Sequence, residues 1–162
     1  MTDTKDDDMD LQALTLLAAA LPAVEPPPSA RARLHEELTG RARFAPFAQE
    51  ISDSFEAPLP NVLSALSRID DEAAWLGSPS PGLRILHVHG RTVISRLPAG
   101  TQIARHKHAT REITYVLDGV LVSDGVAHGR AACLDMAPGT EHALHVADGD
   151  ACLVVFCSAL PS

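Results

Sequence analysis

From Leu83 to Cys157 the chain keeps returning to one pattern, short runs of β-forming residues broken by Gly, Pro or Asp. The runs are Leu83–His89, Val93–Leu97, Gln102–His108, Ile113–Asp118, Val120–Val122, Ala131–Asp135, Glu141–Val146 and Ala151–Cys157. Eight short strands with hairpin-length links predict an antiparallel jelly-roll barrel, because closure removes the exposed edges that short strands would otherwise present. The fold class is therefore mainly β, a single barrel preceded by a short helical N-terminal extension.

Ahead of the barrel the spacing is helical. Residues 1–10 are small and charged and read as a disordered acidic tail. Leu11, Leu14, Leu17, Ala18 and Leu21 fall on one helical face, and Pro22 ends that pattern. The stretch Glu25-Pro-Pro-Pro-Ser29 is a stiff break. Ser29 is placed to cap a second helix through Leu34 and Leu38, closed by Gly40. Neither helix can bury its apolar face alone, so the pair must dock on the barrel, on another copy of the chain or on a different protein. Residues 41–58 hold Phe44, Phe47, Ile51 and Phe55 and read as a connector that packs on something; a third helix is expected over Asn61–Asp70. The implied organisation is a tail (1–10), a helical extension and linker (11–58) and a barrel (59–162).

Composition narrows the function. A formal charge of −8 argues against a nucleic-acid partner, since phosphate binding draws on clustered Lys and Arg. Arg31, Arg33, Arg41 and Arg43 make only a local stripe, which a solvated helix face explains. The apolar run Leu16–Pro22 is too short to span a bilayer, and no basic segment followed by an apolar core opens the chain, so a cytoplasmic location is expected. Three cysteines, Cys133, Cys152 and Cys157, form neither an even disulfide framework nor a CxxC pair and read as small strand hydrophobes.

The histidines carry the chemistry. His106 and His108 are two apart on one strand, so both side chains leave from the same face while Lys107 points the other way. Ala109-Thr110-Arg111 makes a tight link, after which Glu112 opens the next strand, expected alongside. His142, after the turn Ala137-Pro138-Gly139-Thr140, is the natural fourth member. A His₃Glu set offers nitrogen and oxygen donors suited to one divalent ion, with zinc first and iron, manganese, nickel or copper also compatible. Elsewhere, His87 and His89 share a strand face but have no carboxylate at matching spacing. His145 points away from the site by strand parity, and so does Glu141. His128 falls in a turn, and Tyr115 and Trp75 read as core residues.

The stretch from Gly100 through His106, His108 and Glu112 to Gly119 matches the first cupin motif, GX5HXHX3EX6G, at every fixed position. Pro138-Gly139-Thr140-Glu141-His142 resembles part of the second. The resemblance implies a double-stranded β-helix barrel binding one metal through His106, His108, Glu112 and His142, with a small-molecule ligand in the barrel and a tendency to dimerise. A narrower resemblance is to the cupin domain of ChrR-type anti-sigma factors. It rests on Trp75 with Pro81-Gly82-Leu83-Arg84, on Arg96-Leu97-Pro98-Ala99-Gly100, and on the Pro-Gly-Thr-Glu-His run. Residues 17–34 look like the end of that family's anti-sigma domain and its linker. The family's N-terminal HxxxCxxC zinc motif has no counterpart here, as no cysteine precedes Cys133. This resemblance implies a metal-loaded regulator or sensor with a sigma factor or other protein held through residues 11–40. The alternative is a non-haem metal enzyme of the cupin superfamily, a dioxygenase or isomerase acting on a small molecule.

Overall fold

A computed structural model describes residues 27–40, 42–78 and 80–158. The helix expected over Leu11–Leu21 and the acidic tail lie outside the described residues. The chain divides into two compact units, Met1–His35 and Glu36–Ser162. Helix α1 (Pro28–Thr39) spans the boundary, and all that follows it belongs to the second unit. It opens one residue ahead of Ser29, the expected cap, with the Pro27 carbonyl accepting from the Ala30 and Arg31 N–H groups. Proline suits that first position because its missing N–H would have had no helical partner.

The expected connector 41–58 is largely helical. Ala45–Phe47 forms a 3-10 turn that runs into α2 (Ala48–Phe55), and α3 (Leu59–Leu66) follows. In α2 the buried residues are Ala48, Ile51 and Phe55, a stripe along one face, and Glu56 stops the helix at φ 50. In α3, Val62, Ala65 and Leu66 are buried, and a proline sits harmlessly in the first turn. The third helix therefore starts and ends earlier than the expected Asn61–Asp70, since the chain turns from Ser67 onward so that Ile69 can enter the core.

Among the described residues ten strands follow: β1 (Leu76–Gly77), β2 (Arg84–His89), β3 (Thr92–Leu97), β4 (Gln102–Lys107), β5 (Glu112–Asp118), β6 (Leu121–Ser123), β7 (Val126–His128), β8 (Cys133–Met136), β9 (Glu141–Val146) and β10 (Cys152–Ser158). All eight expected strands are present within two residues. They pair antiparallel in two sheets, β1-β2-β3-β10-β5-β8 and β4-β9-β6-β7. The fold is the expected mainly β jelly roll. The two additions are the short edge strand β1 and β7, which closes a hairpin through Asp124 and Gly125, both at positive φ.

Two cores result. One lies between α2, α3 and the outer face of the six-stranded sheet, and includes Phe44, Ile51, Val62, Ile94, Tyr115 and Val155. Trp75 belongs to it, donating its indole N–H to the Ile69 carbonyl at 2.9 Å beneath the Arg96 guanidinium. The other core fills the barrel, with Leu97, Val116, Leu121, Leu134, Leu144 and Val154. Gly119 fixes one corner at φ +81, where a Cβ would stand 2.8 Å from the Ala151 carbonyl oxygen.

Candidate metal centre

His106, His108, Glu112 and His142 come together, each offering one ligand atom, and these atoms all lie within 4.8 Å of one another. Strand β4 supplies His106, and His108 follows just past its end. The His108 N–H donates to the Thr140 carbonyl at 2.9 Å and the Gly139 N–H donates to the His108 carbonyl at 2.7 Å, so the turn before β9 prolongs the ladder. His142 stands directly opposite His106 in the β4–β9 register. The expectation that Glu112 arrives on a strand beside β4 needs correction. Its strand β5 pairs with β10 and β8 in the other sheet, so the carboxylate meets the histidines from across the barrel. The link Ala109–Arg111 is thus a crossover between sheets, which periodicity alone could not distinguish from a hairpin.

The three imidazole rings stand edge-to-face, with centroids 4.7 to 4.9 Å apart. Glu112 Oε2 lies 3.3 Å from His108 Nδ1, and Oε1 lies 4.0 Å from His142 Nε2. Outer partners orient two of the rings. His106 Nδ1 is 3.0 Å from the Ala104 carbonyl, which only accepts, so this nitrogen carries the proton and Nε2 keeps its lone pair. His142 Nδ1 is 3.1 Å from Ser123 Oγ, an arrangement that likewise leaves Nε2 for a ligand role. Ser123 was not legible as a site residue, since a lone serine at a strand end carries no pattern.

The donor set fits a divalent cation. His108 Nε2 and His142 Nε2 are buried without a hydrogen-bond partner, a costly state for ring nitrogens that a metal would relieve. Burial holds the Glu112 carboxyl above the usual range, with His108 and His106 opposing that rise. Burial, then the neighbouring His106 and His108, holds His142 below the ordinary imidazole range and so keeps it in the neutral form that metals bind.

A cavity of about 180 Å³ opens beside the cluster, with His106 and Glu112 in its wall. Its remaining lining is mainly aliphatic, interrupted by the hydroxyls of Ser95 and Thr114. Thr114 could be foreseen, being two residues from Glu112 on the same strand face. His87, His89, His128 and His145 are not part of the cluster. His87, His89 and His145 are exposed, and His87 Nε2 sits 3.1 Å from the Gly90 carbonyl. Glu141 is exposed, while Tyr115 and Trp75 are core residues. Cys152 is buried, and burial pushes its thiol up to about 11, which suits a packing residue better than a reactive one. No helix among the described residues is long and apolar enough to cross a membrane.

One jelly-roll barrel with a His₃Glu cluster gathered from both sheets defines a cupin fold with a possible metal site. Among solved structures, a chain from the Rhodobacter sphaeroides SigE complex with the anti-sigma ChrR matches 94% of this chain and 77% of its own length, at 19% identity and a TM-score of 0.50. An RmlC-like cupin from Ralstonia eutropha matches 52% of this chain and 62% of its own, at 18% identity and TM-score 0.45. An acetylacetone dioxygenase from Acinetobacter johnsonii matches 54% and 70%, at 16% identity and TM-score 0.45. No protein-family model and no curated protein matches the sequence. The fold is thus a cupin fold, resembling that of the ChrR cupin domain.

Proposed function

We propose that this protein is a regulatory cupin: His106, His108, Glu112 and His142 hold one divalent metal, zinc first among the candidates, and the state of the barrel is passed to a protein partner through the N-terminal helical segment. The observation that carries this reading is the double duty of β5. Its Glu112 and Thr114 face the metal cluster and cavity, while Ile113, Tyr115 and Leu117 pack in the helix-covered core. Tyr115 also donates its hydroxyl to Glu50 of α2 at 2.8 Å. A ligand that shifts Glu112 or Thr114 therefore acts on the strand against which α2 packs. The likeness to the SigE–ChrR complex, which extends over most of this chain, supports a sigma factor as the partner class.

A bound metal would supply a Lewis-acidic centre. Around it, Ala104 and Ser123 orient two imidazoles, and the cavity wall beside them is mainly aliphatic. The same cavity, reaching two of the four ligand residues, supports a second reading as a metal-dependent enzyme acting on a small molecule. Hydrogen exchange on the full chain separates the two. Fast exchange across residues 11–40, slowed by adding a candidate sigma factor, is expected of the regulator. Protection there equal to that of the barrel strands, unchanged by the sigma factor, would count for the enzyme.

A further inference from the structure

The cavity beside the cluster has a chemistry of its own, and it restricts what can enter. Of its walls, Leu83, Leu97, Leu121, Leu144, Val154 and Phe156 are apolar. Among the described residues no lysine or arginine lines it, and the one charged side chain there is the Glu112 carboxylate. A ligand bearing a charge away from the metal would bury that charge uncompensated, at a cost no contact in this wall offsets. The volume, about 180 Å³, is room for roughly six water-sized groups.

Two polar atoms break the apolar wall. Ser95 and Thr114 are 7% and 4% exposed, and both line the cavity. Thr114 stands two residues from Glu112 on β5, about 7 Å along the strand. Ser95 lies opposite Val154 in the β3–β10 register, and Phe156 of β10 lies opposite Thr114. The two hydroxyls thus sit at successive levels on one wall, flanking the strand between them. A few hydroxyls on an otherwise apolar wall are the groups that fix a ligand's orientation, by hydrogen bonds to an oxygen placed against them.

We infer that the barrel takes a small ligand with a single metal-binding oxygen head, an uncharged aliphatic body of roughly six heavy atoms, and a hydroxyl or carbonyl oxygen that meets Ser95 and Thr114. Phosphorylated compounds, dicarboxylates and sugar acids carrying a second charge are excluded. This assignment rests on the metal reading of the His₃Glu cluster, and it deepens that reading by naming the ligand class.

The test uses the full chain loaded with cobalt(II), whose visible absorption reports each added ligand. The probes are acetohydroxamic acid, hexanohydroxamic acid, 6-hydroxyhexanohydroxamic acid and the monohydroxamic acid of succinic acid. Affinity is expected to rise about fourfold for each methylene buried, until the cavity is full. The carboxylate-tailed probe should bind at least tenfold more weakly than the neutral probes of similar length. The ω-hydroxyl should strengthen binding in the wild type, and the Ser95→Ala, Thr114→Val double variant, with its cobalt content measured alongside, should lose that preference. Normal cobalt uptake with affinity indifferent to the tail, or highest for the carboxylate, overturns the ligand assignment and leaves the metal centre standing. Failure to take up cobalt at all overturns both.

Discussion

The six-stranded sheet presents two faces with opposite demands. Toward α2 and α3 it shows Ile94, Ile113, Leu117, Leu153 and Val155, a dry apolar surface whose polar exception, Tyr115, is satisfied by Glu50. Toward the barrel the same strands show Ser95, Glu112 and Thr114 among Leu97, Val116 and Val154. Alternation along β5 sends Ile113, Tyr115 and Leu117 to the helix-covered core and turns Glu112, Thr114 and Val116 into the barrel. Such a division lets one face change chemistry without unfolding the other.

The largest effect should follow from the metal. Replacing His106 and His108 together by Ala should reduce bound metal to a small fraction of one equivalent, read by elemental analysis of the purified protein; stoichiometric metal in that variant would refute the assignment. Removing the metal from the wild type should also lower the melting temperature. A ligand that binds only the folded state, present a thousandfold above its dissociation constant, adds about 4 kcal/mol. Acid should act in the same direction. Burial holds His142 below the ordinary imidazole range, so its contribution to stability is present above the unfolded pKa near 6.5 and is lost as pH falls through the depressed folded value. Metal should leave over that same fall, because only neutral imidazole binds it.

A cut on the other face should separate stability from metal. Ile51 is fully buried in the helix-covered core. Ile51→Ala should cost about 2–5 kcal/mol in urea denaturation. Metal stoichiometry should stay at its wild-type value, since the residue touches only the dry side; loss of metal in the folded variant would show that the two faces are coupled more tightly than the alternation implies.

The contrast also explains what could be read in the sequence. The barrel strands were legible because period-two alternation and Gly–Pro–Asp punctuation survive in any half-buried strand. The four clustered residues were legible because His106, His108 and Glu112 sit at fixed spacing and His142 follows a turn. Which sheet Glu112 joins was not, because a three-residue link serves a hairpin or a crossover equally well. Helix α2 was missed as a helix because it is only eight residues long and follows a run broken by Pro46. Strand β7 had a signal that went unused, the Asp124-Gly125 pair typical of a two-residue hairpin turn. The hydroxyls of Ser95 and Ser123 gain meaning only from the three-dimensional neighbours that face them.

A smaller effect is expected where the faces are joined. Tyr115→Phe removes the hydroxyl that reaches Glu50 and should cost about 1 kcal/mol, read as a shift of the urea midpoint. Burial, together with the Glu50 hydrogen bond, raises the Tyr115 pKa. Its contribution is therefore complete below the unfolded value near 10 and is lost as pH rises toward the folded one. The wild type should lose stability on that alkaline limb more steeply than the variant; parallel curves would mean that the hydroxyl is not held as described.

The smallest effect should come from the rim, where geometry looks strongest. Arg111 makes a two-pronged pair with Asp135, at 2.8 and 2.7 Å, joining the start of β5 to β8 right beside Glu112. Hydrogen bonding to Asp135 raises the guanidinium pKa and lowers that of the carboxyl. Both side chains are more than half exposed, however, at 58% and 51%, so water and salt screen the attraction and ordering two long side chains offsets what remains. Arg111→Ala should leave the urea midpoint within experimental error of the wild type at low and at high salt. Metal affinity is the more informative readout. If the pair only decorates the surface, affinity will not change. A tenfold loss of metal affinity with an unchanged midpoint would show instead that Arg111 holds the first residues of β5 in place, so that the division between a structural and a functional face extends to the rim.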